Sequence, residues 1–105
     1  MITRKEEHIL LCIVLLENTA YLVNIRQKLQ DITGKYLDVG SINKTLKKLE
    51  RDDYLKSDLG KPQPVRGGKA IKYYTLTEKA YQALSEINAL HERFWKKVAI
   101  TAKNK

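Results

Sequence analysis

The sequence predicts a mostly α fold carrying a small β-ribbon and ending in one long helix. Three observations predict it. Apolar residues recur at helical spacing in three segments before residue 54. The period then changes: Leu55, Ser57 and Leu59 alternate with Lys56 and Asp58, and Ala70 to Leu76 is a second extended run rich in Tyr and Ile. From Ala80 to Val98 the spacing becomes that of a heptad stripe.

The first helix should begin after Thr3, whose hydroxyl can cap it while Glu6 reaches back to the cap amide. It is expected to run from residue 4 to Glu17. Its run Ile9–Leu16 is apolar on every side, and a helix of that kind must be buried all round. In a chain of 105 residues that implies a partner subunit. Leu22, Ile25, Leu29 and Ile32 give a second, amphipathic helix facing inward, with Gly34 as its C-terminal cap. Tyr36-Leu37 is read as a very short strand. Asp38 can cap a third helix that buries Ile42, Leu46 and Leu49 and ends at Asp52-Asp53. Two extended runs follow, separated by a loop that holds both prolines and Gly67-Gly68, where positive φ is permitted. Thr77 caps the last helix, with Glu78 near its positive end. Running to about residue 101, that helix would span about 36 Å, longer than the body it leaves. It must pack on something else, most simply its own copy.

The order helix, helix, helix, strand, basic loop, strand is that of a winged helix-turn-helix. Residues 1–76 are therefore read as a winged-helix DNA-binding domain and 77–105 as a C-terminal dimerisation helix, the two forming one compact unit. The expected dimer contacts are Leu11, Leu15, Leu84, Ile87, Leu90, Phe94 and Val98.

Charge points to the partner. Residues 1–34 carry four basic and four acidic side chains, whereas 35–72 carry ten and five. Lys61, Arg66, Lys69 and Lys72 fall in a stretch with no acid. A local positive field suits a polyanion, because each neutralised phosphate releases condensed counterions. The third helix offers Ser41, Asn43, Lys44, Lys47, Lys48 and Arg51 to the major groove, and Arg66, Gly67, Gly68 and Lys69 form a wing tip suited to phosphates. A solvated basic surface, or a winged-helix protein–protein interaction module without a DNA-binding role, is the competing reading.

Catalysis finds no foothold. His8 and His91 lie on different helices, there is one Cys, and no spacing matches a metal site, a nucleophile elbow or a phosphate-binding loop. Cys12 reads as a small core residue. No enzyme activity, cofactor or metal is expected. The longest apolar run, eight residues, is short of the roughly 18 that a membrane span needs, and Glu6-Glu7 before it argues against a signal peptide. A cytoplasmic protein is expected.

Gly40-Ser41-Ile42-Asn43-Lys44-Thr45-Leu46-Lys47-Lys48-Leu49-Glu50 resembles the recognition-helix pattern of the PadR family of bacterial transcriptional regulators. Arg66-Gly67-Gly68-Lys69-Ala70-Ile71-Lys72-Tyr73-Tyr74-Thr75-Leu76-Thr77 is similar to that family's wing and second strand, and Ala20-Tyr21 fits as well. The resemblance implies a homodimeric, ligand-responsive repressor of the short branch with a single C-terminal helix, reading a palindromic operator in double-stranded DNA. Asn43 stands where the family usually has Tyr, Val39 where Pro is common, and Asp53 where Gly closes the turn. On a base edge Asn43 would favour adenine. In the drug-sensing branch an aromatic on the last helix stacks on flat ligands. Trp95 and His91, one turn apart, are thus either interface packing or the wall of a site for a small planar hydrophobic effector.

Overall fold

The computed structural model describes residues 1–62 and 70–104. Helices α1 (Arg4–Leu15), α2 (Leu22–Thr33) and α3 (Val39–Arg51) are followed by strands β1 (Leu55–Pro62) and β2 (Ala70–Leu76) and by helix α4 (Glu78–Lys103). A 3-10 turn, Glu17–Thr19, closes α1 two residues earlier than its composition suggests, with Glu17 at φ +54°.

The caps follow local chemistry. Thr3 Oγ1 accepts from the Glu6 amide at 3.1 Å and Glu6 Oε1 accepts from the Thr3 amide at 2.8 Å. Asp38 Oδ1 accepts from the Ser41 amide, and Thr77 Oγ1 from the Ala80 amide. Gly34 ends α2 at φ +73°, a left-handed conformation that glycine adopts without a Cβ penalty. Asp53 adopts φ +66° after α3, so an aspartate occupies the turn for which glycine is the easier choice.

Ile9, Leu10 and Ile13 of α1, Ile25 and Leu29 of α2, and Ile42, Leu46 and Leu49 of α3 form one core with Leu55, Tyr74, Leu76 and Ala80. Burying each large member contributes about 1.5–3 kcal/mol. The ribbon is antiparallel, pairing Leu55 with Leu76 and Ser57 with Tyr74. Its inner face runs off the body, so Leu55 is buried while Leu59 is exposed. The register shifts between Leu59 and Pro62. A Cβ on Gly60 would come within 2.6 Å of the Tyr73 ring, so a larger residue there would have to displace that ring.

Two expectations are corrected. Tyr36-Leu37 forms no strand; among the described residues the backbone bond added to β2 comes from Ala20, whose carbonyl accepts from the Tyr74 amide at 2.9 Å. The linker before α2, not the one after it, lies beside the ribbon. Ile32 does not enter the core but is 60% exposed. It lies at the end of α2 and shares with Leu11, Cys12, Leu15 and Leu29 a groove of about 280 Å3 between α1 and α2. Helix α4 packs on the body through Ala80 and Leu84, with Ile87 half-buried a turn further on, then leaves it. That departure stretches the molecule to 65 × 28 × 21 Å. Among the described residues no helix is long and apolar enough to cross a membrane.

Candidate nucleic-acid interface

Helix α3 divides into arcs. Ile42, Leu46 and Leu49 point into the core. At 100° per residue, Asn43, Lys47, Arg51 and Lys44 share an arc of about 100° that faces away from it. Lys44, Lys47 and Arg51 are exposed and Asn43 is half-buried. Among the described residues Lys44 and Lys47 form no ion pair, and Arg51 Nε lies 3.5 Å from Asp52 Oδ1 while its side chain stays mostly exposed.

Ser41 and Lys48 lie on the flank of α3 that meets α1. Ser41 Oγ accepts from Lys5 Nζ at 2.7 Å. Lys48 Nζ donates to Glu6 Oε2 at 2.8 Å and lies 3.5 Å from Asp52 Oδ2. Burial by itself would raise the Glu6 pKa, but the Lys48 ammonium and the Thr3 amide outweigh it and hold the carboxyl below its ordinary 4.5. The Glu6 hydrogen bond in turn raises the Lys48 ammonium. Of the six α3 residues expected at the groove, the structure brings four onto one exposed face and engages the other two against α1.

The opposite flank holds the ribbon. Glu50 accepts from Ser57 Oγ and lies 3.0 Å from Lys72 Nζ, contacts that lower the Glu50 carboxyl and raise the Lys72 ammonium. Lys72 also lies over the Tyr74 ring, 5.5 Å from its centroid. Its charge, counted in the acid-free stretch of the sequence, is therefore met by an acid from α3. Arg66, Gly67, Gly68 and Lys69 fall outside the described residues.

The end of α3 is tied to the start of α4. Thr77 Oγ1 donates to the Asp53 carbonyl at 2.7 Å, the Thr77 amide to the Tyr54 carbonyl at 3.1 Å, and Lys79 Nζ to the Asp52 carbonyl at 2.8 Å. Lys79 also lies 4.4 Å from the Tyr54 ring centroid. Along α4, Leu84, Ile87 and His91 are half-buried, whereas Leu90, Phe94 and Val98 are exposed and Trp95 is 68% exposed. Leu11 and Leu15 of α1 are exposed as well. From the sequence, Lys5 and Glu50 had no role at the interface, Lys72 counted only as part of the acid-free basic stretch, and Glu6 had only its local capping role. Glu6 and Lys48 stand 42 positions apart, and only the folded chain joins them.

Three helices, a two-stranded wing and an outward basic face on α3 define a winged-helix protein with a long helix appended to it. The family model of the PadR-like transcriptional regulators matches residues 10–86, and the chain belongs to that family. Its members are regulators of transcription rather than enzymes. A solved PadR-like transcriptional regulator from Bacillus cereus is 26% identical with a TM-score of 0.66, covering 95% of this chain and 88% of that one. A PadR-like transcription factor from Bacteroides fragilis is 28% identical with a TM-score of 0.68 over 90% of each chain. A PadR family regulator from Clostridium difficile is 30% identical with a TM-score of 0.63, over 88% of this chain and 92% of that one. No curated protein matches the sequence.

Proposed function

We propose that the protein is a sequence-specific, ligand-responsive repressor that binds a palindromic operator as a homodimer. The observation that carries this reading is the outward arc of α3, where Lys44 and Lys47 have no counter-charge among the described residues and Asn43 stands beside them. Asn43 reads a base edge, Lys44, Lys47 and Arg51 contact phosphates, and Ser41 and Lys48 hold the helix in place. Arg66 and Lys69, with Gly67 and Gly68 between them, add phosphate contacts from the wing, which supply affinity rather than sequence choice.

Residues 1–76 form the DNA-binding part and 77–105 the dimerisation helix. The outer half of α4 exposes Leu90, Phe94 and Val98, and α1 exposes Leu11 and Leu15. Covering each such side chain contributes on the order of 2 kcal/mol before association costs. A two-fold axis that pairs these faces would set two α3 helices one DNA turn, about 34 Å, apart. In the same dimer Trp95 and His91 wall a space for a small planar hydrophobic effector, a role supported by the exposure of the Trp95 ring.

The test is binding of random and operator duplexes across a salt series. A slope of several units is expected, with Asn43→Ala relaxing base preference at one position per half-site. A salt-independent or absent response would turn the fold toward protein–protein contact instead. Deletion after Ser85 should leave a monomer or an aggregate that does not bind the operator, and a wild-type chain monomeric at micromolar concentration would reject the dimer.

A further inference from the structure

A cleft lies between the first turn of α1, the end of α2 and the segment leading into α3. Its volume is about 420 Å3, within the roughly 300–1,000 Å3 of small-molecule sites. Leu29 and Leu37 give it an apolar base, and Arg4, Lys5, His8 and Lys35 stand around them. None of the lining side chains is acidic. Arg4 has Glu7 at 3.7 Å but stays largely exposed, Lys5 donates to Ser41, and among the described residues Lys35 forms no ion pair. The cleft shares His8 and Leu29 with the apolar groove beside it. It contains none of the residues assigned to the dimer.

Cationic groups around a hydrocarbon base set two requirements on an occupant. An anionic head takes charge-assisted hydrogen bonds from Lys5, Arg4 and Lys35, about twice as strong as neutral ones. An apolar body covers Leu29 and Leu37, which a bare anion leaves wet. We propose that this cleft binds a small anionic amphiphile, with one carboxylate or phosphate head on an apolar body. Lys5 links the cleft to α3: an anion that recruits its ammonium competes with Ser41 Oγ in the first turn of that helix. The link rests on the DNA-binding reading, whereas ligand binding does not.

The experiment titrates the full chain with octanoate, octanol and inorganic phosphate, following backbone amides by NMR. Octanoate is expected to shift residues 4–8 and 29–37 and to bind at least about tenfold tighter than either other probe. The Lys5→Ala/Lys35→Ala variant should bind octanoate about tenfold more weakly. Equal binding of octanol would reduce the cleft to an apolar patch, and equal binding of phosphate to a bare anion spot; either overturns the proposal. So does unchanged affinity in the double variant, or an absence of octanoate shifts at these residues. Shifts there from duplex DNA with none from octanoate would assign the cleft to a DNA phosphate and overturn it too. Where the double variant does not fold, the wild-type shift map and probe ranking decide. Octanoate bound in the cleft should weaken operator binding; operator binding that does not change would reject the Lys5 link and leave the ligand site standing.

Discussion

Replacing Lys48 with Met removes the ammonium but keeps most of the side-chain stem, which isolates what the charge does. In the wild type Glu6 is 4% exposed and its carboxylate accepts from Lys48 Nζ at 2.8 Å and from the Thr3 amide at 2.8 Å. Lys48→Met leaves a buried carboxylate with the Thr3 amide alone. Leaving a charged buried acceptor short of a partner costs about 1–3 kcal/mol. For a chain of this size that corresponds to a fall in Tm of about 5–13 °C at one fixed protein concentration.

The pH dependence carries the sign. The wild-type Glu6 pKa is held below 4.5, so its stabilisation is complete above that value and is lost as pH falls through the lower folded pKa. Without Lys48 the Glu6 carboxyl keeps only the Thr3 contacts against burial and titrates higher than in the wild type, so the variant loses less than the wild type as acid protonates Glu6. The Tm gap should be widest near neutral pH and close in acid. The same protein measured on DNA over a salt series should show a slope close to that of the wild type, because Lys48 is turned to α1. A drop of about 1.8 in slope, about 0.9 for each half-site, with unchanged Tm would place Lys48 on a phosphate and refute the reasoning.

Other substitutions separate the faces of α3 and test its exit. Lys44→Ala/Lys47→Ala, which removes two phosphate contacts from each half-site of the proposed dimer, should lower the operator salt slope by about 3.6 while leaving the unfolding midpoint within about 2 °C of wild type. Asp53→Val, which forces a β-branched residue to φ +66°, should cost about 1–2 kcal/mol in urea unfolding. Gly60→Ala should shift the Tyr73 ring resonances in NMR, because the added methyl meets that ring at 2.6 Å.

Local signals carried most of the fold. Thr3-Glu6, Asp38, Gly34 and Thr77 each mark a helix boundary through chemistry confined to a few residues, and the structure uses all four. Ala70–Leu76 was legible because residues that favour a pleated, half-buried surface, Ile71, Tyr73, Tyr74 and Thr75, are concentrated there. Ile32 was not legible, because helical spacing tells which residues share a face and not whether a neighbouring helix covers it. The short strand misassigned to Tyr36-Leu37 has the same origin: an extended dipeptide reads alike wherever it sits, and only the position of β2 decides which linker it can join. On α3, spacing placed Asn43, Lys44, Lys47 and Arg51 on one outer face, and the structure turns the same four outward. It could not separate Lys48 from them, since the residue that draws Lys48 aside belongs to the first turn of the chain.

The contacts around α3 bear on how a regulator of this family could set its half-site spacing. Lys5 and Glu6 hold one flank through Ser41 and Lys48, and Ser57 and Lys72 hold the other through Glu50. The end of α3 is bonded to the start of α4 at Asp52, Asp53 and Tyr54. Each is a directional hydrogen bond or ion pair, and together they fix the helix against rotation in a way that the apolar core, which is non-directional, does not. In the proposed dimer, the direction in which α4 leaves the body would therefore determine where α3 sits relative to the two-fold axis. On the proposed reading, a ligand that altered the pairing of α4 would move both α3 helices, and one that drew Lys5 from Ser41 would loosen each α3 at its own first turn. The first mechanism changes the spacing between half-sites and weakens only a palindrome; the second weakens each half-site alone. Binding of a single half-site, measured with and without effector, distinguishes them: an effector acting through α4 leaves it unchanged, and one acting through Lys5 lowers it.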